Sequence, residues 1–390
     1  MKIINLFIVI IITFSVMACT QSSLEIDLYT ATEIKKNTST PTTTITPTTT
    51  YSATPTKKPP TSTYTPTNTT TSTYTPTVTP VPIGGGSGQI AYCQNNEGIY
   101  FINPDGAKNE LVYKIYGNFY WKEPLQWSND GIFLTTRVNI SQQNLLRRYE
   151  VDGKQVDQRE WWGWIVLSPD GNKYITYDDS YILGDFKNKF TYLHLTGRFV
   201  SWSPDSKKFI YSSYRNRSED LYIYDTLTKE EIKFTKNGFM PDWSPDGEYI
   251  VFWGVEWNKP DNTQELFIVD LSGVGRTRLT FDDFQNWNPS WSPNGEKIAY
   301  QYAYVNSHSQ GFLSDLYVID LDTRKAIRLT KNMNIGSRKY SWSPDGTMIA
   351  FWGEPEHDEN YGLYTVNVET GELSLLADGL DYCSGVAWRP

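Results

Sequence analysis

One pentapeptide limits the possible folds of this chain more than any other feature. Trp342-Ser343-Pro344-Asp345-Gly346 runs straight into the apolar stretch Met348-Ile349-Ala350-Phe351. Ser, Pro, Asp and Gly in that order match the positional preferences of a type I turn. A short apolar run bounded by turn residues reads as a buried strand. The pentapeptide therefore predicts a strand end, a tight turn and a second strand. It recurs as Trp127-Ser128-Asn129-Asp130-Gly131, Leu167-Ser168-Pro169-Asp170-Gly171 and Trp202-Ser203-Pro204-Asp205-Ser206. Two more copies are Trp243-Ser244-Pro245-Asp246-Gly247 and Trp291-Ser292-Pro293-Asn294-Gly295. Successive copies from residue 127 onward are spaced by 40, 35, 41, 48 and 51 residues.

Between copies the order of patterns is constant. An Ile298-Ala299-Tyr300 strand precedes an Asp315-to-Asp320 strand, then a short Arg328-Leu329-Thr330 strand, then a connection to the next Trp. Four short strands in each period of this length, repeated along the chain, are the pattern of a β-propeller blade. The motif resembles the TolB-type, WD-like propeller repeats of bacterial envelope proteins, and the resemblance covers nearly all of residues 88–390. Leu167, Ser206, Asn129 and Asn294 depart from the consensus. None removes the turn, because Asn and Ser are tolerated there.

The expected fold is all-β, a seven-bladed β-propeller of four-stranded blades. Six internal motifs supply six blades. Gly385-Val386-Ala387-Trp388-Arg389-Pro390 is an inner strand that stops inside its turn, and Gln89-Ile90-Ala91-Tyr92 is the strand that should follow it. The C-terminal strand is thus expected to complete the blade begun by residues 89–115 and close the ring, removing exposed strand edges. Cys93 and Cys383 both fall in this split blade. By analogy with Trp352 and Ser337 in the intact copy, their sulfurs are expected to lie nearly opposite each other. In an exported chain they are either a disulfide that locks the ring or two buried thiols.

Residues 1–18 read as a lipoprotein signal peptide. Lys2 precedes an apolar stretch too short to span a bilayer comfortably, and Val16-Met17-Ala18-Cys19 resembles a bacterial lipobox. That resemblance implies lipidation at Cys19, with an ordinary secretory signal as the alternative. Residues 19–87 form a stalk, plainly low in complexity over 38–82, where Thr and Ser dominate and Pro interrupts any helix. So little apolar area cannot offset the entropy of ordering, so an extended, disordered segment is expected. At about 3.1 Å per residue it could reach over ~100 Å from a membrane. The expected location is extracytoplasmic, anchored to the cell membrane or an outer membrane.

The folded part holds 30 basic against 41 acidic residues. That balance argues against nucleic acid, whose binding needs a basic footprint. Catalytic patterns are thin. His194, His308 and His357 are widely separated, with no ligand spacing, so neither a metal nor a cofactor is expected. The turn carboxylates recur in every copy and read as acceptors within their own turns.

In a four-stranded blade the Ser-Pro-Asp-Gly turns share one face with the third-to-fourth strand turns, and the longer connections share the other. Binding residues tend to sit on variable loops held by a rigid scaffold. The longer connections, read as loops at 116–124, 158–164, 214–220, 253–264, 281–289, 303–314, 331–339 and 352–362, are rich in aromatics and acids. Trp121, Trp257 and Trp287, read as loop residues, are the main ligand-binding candidates, with Tyr120, Asp282, Glu354 and Glu356 beside them. Trp253 and Trp352 follow inner strands and are expected to pack between blades.

The reading that follows is a non-enzymatic, surface-tethered binding module, expected to be a monomer, that recognises an envelope protein or a glycan. The resemblance itself implies protein–protein interaction at the envelope, and the stalk stands where that family carries a domain before its propeller. The alternative is a carbohydrate-active hydrolase or lyase with acidic residues at the channel mouth, whose productive carboxylates would lie about 5–10 Å apart.

Overall fold

Twenty-nine β-strands and no helix make up the described residues of the computed structural model. Those residues are 88–390 except 95, 117, 120–124, 161–162, 179, 188, 216, 256–263, 282–284, 306–311, 356–360 and 379–384. The strands pair antiparallel in six sheets, four of them four-stranded, one five-stranded and one eight-stranded. The eight-stranded sheet is two four-stranded units joined by a single parallel bridge, Ser314 to Asn334. The five-stranded sheet is one unit whose inner strand is split into Asn118–Phe119 and Gln126–Trp127.

Among the described residues the result is a series of four-stranded units of one pattern. In the fifth, Gly238–Trp243 is the inner strand, followed by Tyr249–Val255, Gln264–Asp270 and Thr277–Arg278. In the first, the inner strand is Val386–Trp388, paired with Ile90–Gln94 in the register Ile90↔Trp388, Ala91↔Ala387 and Tyr92↔Val386. The two ends of the folded part are therefore strands of one sheet, as the broken motif at Trp388 predicts.

Alternation along each second strand explains how the units pack. Ile250 and Phe252 pack with Ile210, Leu221 and Phe234 of the fourth unit. Val251, one residue out of step, packs with Ile298 and Tyr300 of the sixth. Period-two side chains give each sheet two apolar faces, as expected where both are covered. The same joint recurs down the chain, and its last instance sets Ala350, Trp352 and Leu363 against Ile90, Tyr92 and Trp388.

Several connections are shorter than the sequence pattern suggests. Residues 285–291 and 333–342 belong to strands, and the connection around 214–220 shrinks to the two residues between Arg215 and Ser218. The inner strands survive past their apparent breaks because a β-bulge absorbs the irregular residues. Register shifts fall between Arg198 and Val200, Phe239 and Asp242, and Trp287 and Ser290. At each bulge a non-glycine residue takes positive φ: Phe199 at 51°, Met240 at 48° and Asn288 at 51°. Patterning alone does not reveal such a bulge, since it only interrupts the alternation.

Candidate functional site

The repeated turn closes on itself. In the copy at residue 342, the Gly346 N–H donates to Ser343 O at 2.9 Å, the i to i+3 bond of the expected turn. The Ser343 hydroxyl donates to Asp345 Oδ1 at 2.6 Å and accepts from the Met348 N–H at 2.9 Å. Asp345 also accepts from the Thr347 N–H at 3.0 Å. Gly346 has φ 72°, a left-handed conformation that favours glycine. Where Ser206 replaces that glycine, φ is 58°, and its hydroxyl instead accepts from the Asp170 N–H of the neighbouring turn at 3.0 Å.

These bonds set the acidity of the turn carboxyls. For Asp170, Asp205 and Asp345, burial pushes the pKa up, but the Ser hydroxyl and backbone N–H donors outweigh it and hold the carboxyl below its usual range. Asp320, in the turn between the third and fourth strands of the sixth unit, is raised by burial and drawn down to about 2 by Lys297 and the Thr323 N–H. Such donors favour the ionised form and occupy its lone pairs.

In four units the Trp of the motif ties the unit to the one before. The Trp127 indole N–H donates to Ala387 O at 3.3 Å, Trp202 to Val166 O at 3.2 Å, Trp291 to Asp242 O at 3.3 Å and Trp342 to Ser290 O at 3.4 Å. Trp243 turns to Gly247 O of its own unit instead, at 3.1 Å. The residue before the Trp often completes the seam. Ser201, Asp242 and Ser341 accept the next unit's Trp N–H at 3.0, 2.9 and 3.0 Å. Leu167 has no indole, and there Gln126 spans the joint, accepting from the Leu167 N–H at 2.8 Å and donating to Ile165 O at 3.0 Å.

On the opposite face, buried acids anchor the ends of the third strands. Asp315 is fully buried. It pairs with Arg328 and accepts from Thr330 Oγ1 at 3.0 Å, Tyr304 Oη at 2.9 Å and the Met333 N–H at 3.1 Å. Glu265 repeats the arrangement with Arg278 and Thr280, and Asp220 with Lys233 and the Asn237 N–H at 3.1 Å. The Asp-Leu-Tyr and Arg-Leu-Thr patterns are plain in the sequence. Their pairing across the sheet was missed, because acid and base lie 13 residues apart on two strands. A recurring acid and base at one fixed offset was the available signal.

Between the inner strands a cavity of about 430 Å³ is lined by Gln126, Val200, Met240, Asp242, Asn288 and Tyr340. A second, of about 310 Å³, opens between the third and fourth units. Its wall is mostly aromatic and aliphatic: Trp164, Ile175, Tyr177, Tyr181 and Phe199, with Arg198 as the charged member.

The candidates named from sequence distribute unevenly. Trp121, Trp257, Tyr120, Asp282, Glu356, Cys19 and Cys383 lie outside the described residues. Trp287 is not a loop residue: it is half-buried in the inner strand of the sixth unit, paired with Gln301, because the bulge at Asn288 carries that strand onward. Its indole nitrogen is buried without a hydrogen-bond partner among the described residues. Glu354 is half-buried and accepts from Asn334 Nδ2 at 3.1 Å. Trp352 is buried between units, as expected, with its indole N–H on Gly385 O at 3.2 Å. Cys93 is buried, and Gly385, two residues after Cys383, lies so close that a Cβ there would be 3.1 Å from the sulfur.

Residues 188–304 match the family model described as TolB beta propeller domain. An uncharacterized protein of Agrobacterium fabrum, Atu1656, is 26% identical over 257 residues, which cover 59% of this chain and 83% of that protein. The Tol-Pal system protein TolB of Anaeromyxobacter sp. (strain K) is 30% identical over 93 residues, 23% of this chain and 20% of that one, so the match spans only a fifth of that relative. Among solved structures, TolB from Acinetobacter baumannii superposes with TM-score 0.51 at 18% identity, over 79% of this chain and 68% of that one. An oligogalacturonate lyase in complex with manganese superposes with TM-score 0.54 at 15% identity, over 74% and 83%. At those identities the superpositions speak for the fold alone. The repeated turn, the four-stranded antiparallel units and the match over residues 188–304 together support a TolB-type β-propeller for this chain.

Proposed function

We propose that this protein is a non-enzymatic cell-envelope binding module: a seven-bladed propeller whose ring is closed by residues 386–388 pairing with 90–92. A lipid on Cys19 tethers it outside the cytoplasm, and residues 19–87 form its stalk. It works as a monomer and recognises a protein or glycan through the face that carries the longer connections. The difference between the two faces carries this reading. Turn-face polar groups are consumed within and between turns, whereas the other face varies in length and composition from unit to unit. Aromatic rings beside polar groups suit stacking on a ligand while fixing its orientation.

The test immobilises the full exported chain and measures capture of envelope proteins and arrayed glycans. Trp121→Ala, Trp257→Ala and Trp287→Ala should each weaken capture. Capture indifferent to all three would place the ligand elsewhere, and turnover of a captured sugar would make the chain an enzyme, with Asp282, Asp283, Glu354 and Glu356 as its candidate carboxylates. We also propose a Cys93–Cys383 disulfide. Closing a loop of this length would contribute roughly 4–5 kcal/mol in chain-entropy models. Two titratable thiols in the unfolded, unreduced folded part would refute it.

A further inference from the structure

The cavity between the third and fourth units differs from the central one in being walled by rings and in having one cation at its wall. Trp164 is 42% exposed, while Tyr181 is buried behind it. Gly197 supplies wall without a side chain, and no other residue fits there, since a Cβ would sit 2.4 Å from Ser212 O. Phe199 holds φ 51°, a conformation unfavourable for a bulky residue, with its ring 4.6 Å from Phe239. The exposed Arg198 forms no side-chain hydrogen bond or ion pair among the described residues. Its field does reach Glu219, whose carboxyl burial pushes up and Arg198, with the Ser212 hydroxyl, pulls part of the way back.

We propose that this cavity receives the C-terminal residue of a peptide partner, its apolar side chain among Trp164, Tyr177 and Phe199 and its α-carboxylate on the Arg198 guanidinium. About 310 Å³ is within the range of small-ligand sites. A guanidinium fork matches a carboxylate in two parallel hydrogen bonds. The net acidity of the folded part, 30 basic against 41 acidic residues, disfavours a polyanion and leaves room for one negative charge on an apolar body. A chain terminus meets both demands on a single Cα, whereas an internal Asp or Glu places its charge on the side chain that would have to be apolar. The proposal rests on the loop-face reading, since Trp164, Tyr177 and Arg198 stand at strand ends on that face.

Calorimetry on the full chain with N-acetyl-Ala-Phe, its C-terminal amide and phenylpropionate tests it. The dipeptide acid should bind, and the amide should bind roughly tenfold or more weakly. Arg198→Gln should bring the acid down to the level of the amide, while Trp164→Ala weakens both; both residues are exposed, and melting curves check that the variants fold. Equal binding of acid and amide, or no binding of either, overturns the proposal. Phenylpropionate binding more tightly than the dipeptide overturns the peptide assignment in favour of a free aromatic acid. Partner capture lost in Trp287→Ala but unchanged in Arg198→Gln would remove this pocket and leave the loop-face reading standing.

Discussion

The turn face and the loop face are built on the same strands and use their polar groups in opposite ways. On the turn face, Ser, Asp and Gly bond to their own backbone within five residues, so the motif is satisfied wherever it is placed. On the loop face, Asp220, Glu265 and Asp315 each draw their basic partner, Lys233, Arg278 or Arg328, from another strand. A locally satisfied turn can be repeated without adjustment. A lock that needs a partner from another strand fixes where each connection leaves the sheet, and its loops can then diverge. A face that looks rich in acid and hydroxyl groups therefore has little left to offer a ligand, while the less regular face rests on the deeper anchors.

That contrast predicts a ranking of effects. Asp315→Ala, which strips the Arg328, Thr330 and Met333 donors of their acceptor, should lower unfolding free energy by about 3–4 kcal/mol in denaturant titration. A loss below about 1 kcal/mol would mean that the loop-face lock is no stronger than a turn. Next come the indoles. Trp342→Phe removes the bond to Ser290 O and should cost about 1 kcal/mol more than Trp388→Phe, whose indole nitrogen is buried without a partner among the described residues. Equal melting temperatures for the two variants would show that the seam bonds contribute little beyond packing.

The pH response follows from the carboxyls held below their ordinary values. Because Asp170, Asp205, Asp345 and Asp320 bind protons less tightly in the folded chain, their contribution is full above the unfolded pKa near 4 and fades as pH falls towards 2. Melting temperature should fall over that window, and Asp320→Asn should flatten the slope; an unchanged slope would show that Asp320 is not held near 2. The smallest effect expected is for Ser206→Gly, where relief of positive φ and loss of the bond from the Asp170 N–H nearly cancel, within about 1 kcal/mol by chemical denaturation. None of the turn-face substitutions should alter partner capture by the folded variant, measured on the same surface as Trp287→Ala.

Much of the fold could be read from the sequence because its signals are local. Each Ser-Pro-Asp-Gly motif carries its own turn chemistry, and the alternation in Ile349-Ala350-Phe351 needs no distant residue to define a two-faced strand. Even the pairing of residues 386–388 with 90–92 followed from a motif broken off at Trp388. The candidate site was legible only in part. Trp287 looks like a loop residue because Asn288 and Pro289 interrupt the alternation, and only the strand beside it shows that a bulge carries the pairing through.

The sequence by itself determined the repeat, the turn, the strand order and the acidic character, all of which depend on neighbours within a few positions. Tertiary structure decided which acid meets which base, where an indole reaches across a joint, and that a cavity walled by Trp164, Tyr177 and Phe199 opens beside Arg198. Those features join residues from different strands and units. Their existence depends on how sheets pack, which no single window of the chain contains.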